Sequence, residues 1–367
     1  MRVVYLVIAA VYLITLQGCI APTTRIAQTD DVAVALEAKK QREIALQSLF
    51  EYDRRLQNIS GKLLSAAVPL CGEKTRPYLG AFVANKYSFE KDMQDAAAAL
   101  WSANDVLKVM YAVEGSPAAA GGLLAAGDIP VSVNGQSAPV GEEASKRFQE
   151  LLSEQAKQGN TLQLKILRND REQTISVTLD KTCDYPVILG GDDALNAYAD
   201  GQRIVILKGL MRFFSNDNEI AMIVAHELAH NVMKHIDAQR TNYMIGSIFD
   251  ILAAAYGVNT QGLFGNAAAL TYSKEFEAEA DYVGLYIMAR AGLPIDDTPH
   301  IWRRMAAEHP TAIGKAGLTA SHPATPERFV GMEKAIQEIK DKQAKNLPLT
   351  PELKDASSPT NSAAPAQ

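Results

Sequence analysis

From Asp31 to Ala67 the apolar positions Leu36, Ile44, Leu49, Leu56, Ile59 and Leu63 recur at roughly three- and four-residue steps among charges. That spacing predicts one long amphipathic helix, which Pro69 ends. Further along the period changes to two. Leu162, Leu164 and Ile166, then Ile175, Val177 and Leu179, alternate on either side of Asn169-Asp170 and predict a hairpin. A strand over Ile129–Val133 should run into Asn134-Gly135, a pair suited to a tight turn, and a helix is expected over about Glu142–Gln158. Asn216-Asp217-Asn218-Glu219 precedes an apolar run in the arrangement of a capping box, so a helix should start there. After Tyr272, Phe276, Ala280, Val283 and Ile287 form the buried face of another helix. The apolar stretch Met244–Tyr256 is too short to span a bilayer. A buried helix is its default reading, with a lid over a cleft or a membrane-touching patch left open. From about Lys345 the chain turns to Pro, Ser, Thr and Ala, which predicts a disordered tail.

Composition narrows the class. The chain has 367 residues, 47% hydrophobic and 21% charged, with a formal net charge of −6. These are the proportions of a globular protein of two or three domains. No basic cluster accompanies the negative balance, so nucleic acid is excluded as a partner. At the start, Arg2 precedes an apolar run from Val3 to Ile14 and then Leu16-Gln17-Gly18-Cys19. This is the pattern of a secretory signal, with an uncleaved anchor helix as the alternative. Leu16-Gln17-Gly18-Cys19 resembles a bacterial lipobox, which implies cleavage before Cys19 and a lipid anchor on it. Ile20 in the next position implies the outer membrane, facing the periplasm. Cys71 and Cys183 then remain, and an oxidising compartment allows them one pairing. Closing so long a loop would contribute about 4–5 kcal/mol through chain entropy; two separate buried thiols are the alternative.

The chemistry concentrates in His226-Glu227-Leu228-Ala229-His230. Residues four apart share a helical face, so the two imidazoles point the same way, a geometry that suits zinc. Glu227, one position round, can act on water without binding the metal. Two surface histidines are the bland alternative, but Val224, Ala225, Leu228 and Ala229 make the helix apolar nearly all round. A zinc peptidase needs a third protein ligand and an open position. Glu277 and Asp281 share a face of the downstream helix, making Glu277 the candidate third ligand and Asp281 a hydrogen-bond acceptor for a ligand histidine. Spacing alone favours Glu277 only modestly; Glu275 and Glu279 read as solvated charges. His235, about 140° round the helix from His230, reads as structural and facing elsewhere. His300 and His309 have no metal-like spacing.

Two resemblances complete the reading. Gly115-Ser116-Pro117-Ala118, an Ala-rich stretch, Gly127-Asp128, the strand and Asn134-Gly135 resemble a PDZ domain of the bacterial protease type. That implies binding of extended peptides at a sheet edge, with a packed spacer as the alternative. His226-Glu227-Leu228-Ala229-His230 followed by Glu277-Ala278-Glu279-Ala280-Asp281 resembles peptidase family M forty-eight. The resemblance implies one Zn2+ per chain on His226, His230 and Glu277, Glu227 as general base, and Asp281 behind a ligand. Asn196-Ala197-Tyr198-Ala199 resembles the family's strand beside the cleft; an ordinary turn and strand is the equal alternative for Asn196. Ser321-His322-Pro323 with Arg328 resembles its His-Pro motif. By that match His322 stabilises an oxyanion or occupies the metal and holds the enzyme inactive; a plain loop histidine is the alternative. Arg328 reads as holding this segment in place.

The expected fold is α+β: a mainly helical gluzincin-type peptidase domain with a small sheet, carrying an inserted β-rich PDZ domain. The boundaries read as a lipoprotein signal peptide over 1–18, a tether over 19–30, and the N-terminal helix and strand of the peptidase domain over 31–94. The PDZ domain follows over 95–182, the peptidase domain over 183–340 and the tail over 341–367. The expected function is zinc-dependent endoproteolysis of unfolded or misassembled envelope proteins. The rival is an envelope chaperone or assembly factor with a latent or structural zinc site. No oligomeric state follows from the sequence.

Overall fold

The computed structural model describes residues 23–256, 258–270, 273–308, 322 and 325–354. Cys19, His309 and the neighbours of His322 in the His-Pro segment lie outside these residues. The long periodic segment is a helix, α1 (Asp31–Ala66), started by Asp30, whose side chain accepts from the Ala33 amide. Its first half is exposed, whereas Leu56, Ile59 and Leu63 are buried.

After α1 come β1 (Thr75–Tyr78), β2 (Ala81–Ala84), α2 (Gln94–Trp101) and β3 (Lys108–Ala112), then β4 (Ile129–Val133), β5 (Gln136–Ser137), α3 (Ala144–Ala156), β6 (Thr161–Arg168), β7 (Arg171–Thr178) and β8 (Asp180–Cys183). A four-stranded antiparallel sheet runs β5-β4-β6-β7, and β2 pairs with β3. The turn residues act as their types require. Asn134 and Gly135, and Asn169 and Asp170, all have positive φ, which matches tight hairpin turns. Pro130 cannot donate to a ladder, and the β4–β6 register shifts between Pro130 and Ser132. This unit has its own core of Leu79, Val83, Leu107, Val109, Phe148, Leu164 and their neighbours. Leu79 and Val83 lie upstream of residue 95, where the sequence reading starts the PDZ unit; β2 is drawn in because it pairs with β3.

The base of this unit is closed twice. β1 and β8 pair antiparallel, Thr75 opposite Cys183. Cys71 and Cys183 meet through their sulfurs, with Cα atoms 5.8 Å apart. Beyond β8 lie β9 (Val187–Gly190), β10 (Ala197–Ala199) and β11 (Ile204–Leu207), in the order β10-β11-β9, then α4 (Lys208–Phe213), α5 (Asp217–Val232), α6 (His235–Ala255), α7 (Leu263–Ala269), α8 (Ser273–Arg290), α9 (Thr298–Glu308) and α10 (Pro326–Ala344). The larger core joins α1, β11, α5, α8 and α10. Segments on both sides of the smaller unit therefore build one core.

Two expectations fail. Met244–Ala255 is helical within α6, but its large apolar side chains are not buried: Met244, Ile245, Ile248, Phe249, Ile251 and Leu252 are all exposed, because α6 packs chiefly on the short α7. The tail expected from residue 341 does not begin there. α10 continues to Ala344, Leu349 packs on the larger core, Arg290 donates to the Leu349 carbonyl, and the Glu352 amide donates to the Tyr282 hydroxyl. One leucine and a few backbone groups suffice to dock a segment whose average composition reads as disordered.

Candidate metal centre

α5 carries the motif because its start is fixed and its surroundings are apolar. Asn216 caps it, its side chain accepting from the Asn218 amide. Its buried face packs on α8, where Gly284 permits close approach: a Cβ there would lie 3.2 Å from the His226 backbone nitrogen. The helix's C-terminal end is tied to the small sheet through Asn231, which donates to the Arg203 carbonyl and accepts from the Gly201 amide.

Four side chains converge between these helices. His226 Nε2 lies 3.2 Å from His230 Nε2, 3.3 Å from His322 Nδ1 and 3.4 Å from Glu277 Oε2. His230 Nε2 lies 3.4 Å from Glu277 Oε1, and His322 Nδ1 lies 2.9 Å from Glu277 Oε2. Donors about 2.0–2.1 Å from a tetrahedral ion stand roughly 3.3–3.4 Å from one another, so most of these separations are those of a tetrahedral metal site. Among the described residues this is the one such group of histidines and carboxylates.

The outer ring nitrogens also have close neighbours. Asp281 Oδ1 lies 3.0 Å from His226 Nδ1, and His235 Nδ1 lies 2.9 Å from His230 Nδ1. With the ring protons on the outer nitrogens, two bare Nε2 lone pairs face each other across 3.2 Å. That contact is repulsive unless a cation lies between them. A proton can serve: burial opposes charge on His226, but Asp281 and Glu277 outweigh it and lift its pKa to about 9. Burial pushes the His230 pKa down. Burial also opposes the charge of Glu277 and Asp281, yet His322, His226 and His230 hold Glu277 far below the usual range, and Arg328 holds Asp281 low.

Arg328 sits under the cluster. It donates to both oxygens of Asp281 at 2.7 and 2.8 Å, and its Nη1 lies 3.2 Å from Glu277 Oε2. It therefore ties α10 to two carboxylates of α8. Glu227 is buried with one oxygen 3.3 Å from His322 Nε2, while the other, Oε2, has no protein partner. A buried carboxylate oxygen without a donor fits a place where water or substrate is meant to stand.

Sequence reasoning placed His235 elsewhere, and the structure corrects this. The 140° argument assumes an unbroken helix, but α5 ends at Val232 and Lys234 takes a left-handed conformation, φ +58°. The reversed chain brings His235 back against His230. Glu279, read as a solvated charge, lies 2.9 Å from His235 Nε2. No sequence signal marked this turn, since lysine rarely adopts that conformation. Trp302, whose ring packs edge-on to His226, was also missed. His300 is exposed and outside the cluster. A separate cavity of about 610 Å³ lies between α1, β2 and β9, lined by Phe50, Leu79, Phe82, Gln149 and Ile188.

Residues 164–336 match the model of Peptidase family M48, and residues 77–179 match that of the PDZ domain. The overlap falls on the β6–β7 hairpin, which packs in the smaller core. The mitochondrial metalloendopeptidase OMA1 of Saccharomyces cerevisiae is 28% identical over 143 residues, covering 36% of this chain and 41% of that protein. The beta-barrel assembly-enhancing protease of Escherichia coli K12 is 23% identical over 160 residues, covering 40% of this chain and 33% of that protein. The chain thus spans less than half the length of these curated relatives. A solved HtrA3 PDZ domain bound to a phage-derived ligand covers 29% of this chain and 88% of that chain, at 19% identity and TM-score 0.21. The cluster of histidines and carboxylates on α5 and α8 thus falls within the segment similar to Peptidase family M48, and the smaller unit is the segment similar to a PDZ domain.

Proposed function

We propose that this chain is a zinc-dependent metalloendopeptidase that cuts unfolded or misassembled proteins of the cell envelope. The observation that carries the reading is the convergence of His226, His230, Glu277 and His322 beside a buried Glu227 with one oxygen unpartnered. His226, His230 and Glu277 would hold one zinc ion, and Asp281 would fix the His226 ring. The ion would supply Lewis acidity toward the scissile carbonyl and toward water. Glu227 would take a proton from the attacking water as the water oxygen bonds to the carbonyl carbon, then deliver it to the nitrogen as the C–N bond breaks. An extended substrate would align along the free edge of β10, beside α5, and the PDZ unit would hold a second segment or a chain end. The domain plan is a peptidase domain with the PDZ inserted, stapled by a Cys71–Cys183 disulfide. A lipid on Cys19 would hold the chain at the outer membrane, facing the periplasm.

His322 supports a second state of the same enzyme. Its Nδ1 joins the cluster, 3.3 Å from His226 Nε2 and 2.9 Å from Glu277 Oε2, where it could fill an ion's fourth position, and its Nε2 faces Glu227. In this arrangement the open position is filled and the enzyme is latent, which also accommodates a chaperone role for the resting form. The test is cleavage of an unfolded protein by the purified chain, with and without chelator, beside Glu227→Gln and His322→Ala. Chelator-sensitive cutting that Glu227→Gln abolishes and His322→Ala raises supports both statements. Zinc-loaded protein that never cuts, His322→Ala included, would leave the chaperone reading in its place.

A further inference from the structure

His226 and His230 are held from behind by different chemistry. Behind His226 stands a carboxylate, Asp281. Behind His230 stands another imidazole: His235 Nδ1 lies 2.9 Å from His230 Nδ1, and His235 Nε2 lies 2.9 Å from Glu279 Oε2. His235 is 1% exposed and its ring stacks on Phe276, with centroids 4.6 Å apart. The left-handed Lys234 sets it there as the first residue of α6.

Proton counting fixes the direction of this chain. For His230 to offer the Nε2 lone pair to a metal, its single ring proton must sit on Nδ1. His235 must then accept at its own Nδ1. A neutral His235 therefore carries its proton on Nε2, where Glu279 accepts it. A doubly protonated His235 would present an N–H to an N–H and break the sequence. Every donor has an acceptor in only one arrangement: His230 to His235 to Glu279.

We infer that His235, oriented by Glu279, is a positioning residue that fixes the tautomer and ring orientation of His230 for metal binding. This rests on the proposed zinc site. The imidazole stands behind His230 as Asp281, 3.0 Å from Nδ1, stands behind His226. It also places the accepting carboxylate at a half-exposed position, Glu279, rather than adding another buried carboxylate to Glu227, Glu277 and Asp281.

The test is zinc affinity by chelator competition on the purified chain, joined to a nitrogen NMR assignment of the His235 tautomer in the loaded protein. Loss of such an outer partner typically weakens metal binding about 10–100-fold, and that loss is expected for His235→Ala and His235→Gln. His235→Asn, whose amide oxygen reaches the Nδ1 position, should bind zinc more tightly than either. Glu279→Gln, at a half-exposed position, should weaken binding less. The NMR assignment should place the His235 proton on Nε2. A merely structural His235 would lower thermal stability in the three variants without ordering their zinc affinities in this way. Should His235→Ala fail to fold, the Asn and Gln variants and the wild-type tautomer still decide. Wild-type affinity in His235→Gln, or a His235 proton on Nδ1, would overturn the inference alone. A wild-type chain that binds no zinc would overturn it together with the proposed function.

Discussion

α5 and α6 are consecutive helices of similar apolar character, yet they meet opposite fates. In α5, Ile220 to Asn231 are all buried, including two histidines and a glutamate. In α6 only His235 and Gly246 are buried, and a row of large apolar side chains faces outward. The difference shows that apolar content does not by itself say which helix enters the core. What marks α5 is the set of polar groups inside it, most of them met by a neighbour outside the helix: Asp281 and Glu277 on α8, His235 at the start of α6, His322, and the Arg203 and Gly201 backbone. Burying those groups unmatched would cost several kcal/mol each, so their presence constrains the packing of every neighbour. α6 carries one charge in its apolar half, Asp250, and spends it locally on Thr260 and on the Phe264 and Gly265 amides at the start of α7.

The contrast can be broken at several strengths. The largest effect belongs to chemistry inside α5. Glu227→Gln should lower turnover by about 10²–10⁴-fold, the usual worth of a general base, with zinc retained, as measured by cleavage of an unfolded protein. Next comes the partner network. Arg328→Met removes the guanidinium that grips Asp281 at two points. It should destabilise the protein by about 3–5 kcal/mol, because it leaves a buried carboxylate uncompensated; denaturant unfolding measures this. A smaller effect tests the close approach of the two helices. Gly284→Ala must push α5 and α8 apart by a few tenths of an ångström, an overpacking expected to cost about 1–3 kcal/mol. The smallest falls on α6. Ile248→Ser and Phe249→Ser, at exposed positions, should change stability by about 0.5 kcal/mol or less. A loss of several kcal/mol there would mean that α6 is covered by something the chain itself provides.

Much of this was legible in the sequence because it depends on local periodicity. The length of α1, the β6–β7 hairpin with Asn169-Asp170 at its turn, the cap at Asn216, and the pairing of His226 with His230 and of Glu277 with Asp281 all follow from residues within a turn or two of each other. The meeting of Cys71 with Cys183 was suggested only because few thiols remained to pair. What stayed hidden depends on a single backbone angle or on distant packing. Lys234 turns the chain and redirects His235, Trp302 arrives under His226 from α9, and β2 joins the smaller core through β3. Leu349 docks the segment after α10 against a composition that favours disorder. Each of these is decided by tertiary contacts that no window of sequence contains.

The most direct measurement is the zinc content of the purified chain, compared with Glu227→Gln and with Glu277→Ala combined with His226→Ala. The geometry predicts about one zinc per chain in the wild type and in Glu227→Gln, whose carboxylate faces the site without closing it, and none in the double variant. Wild-type protein that holds no zinc, or a double variant that holds as much as the wild type, would contradict the account at its centre.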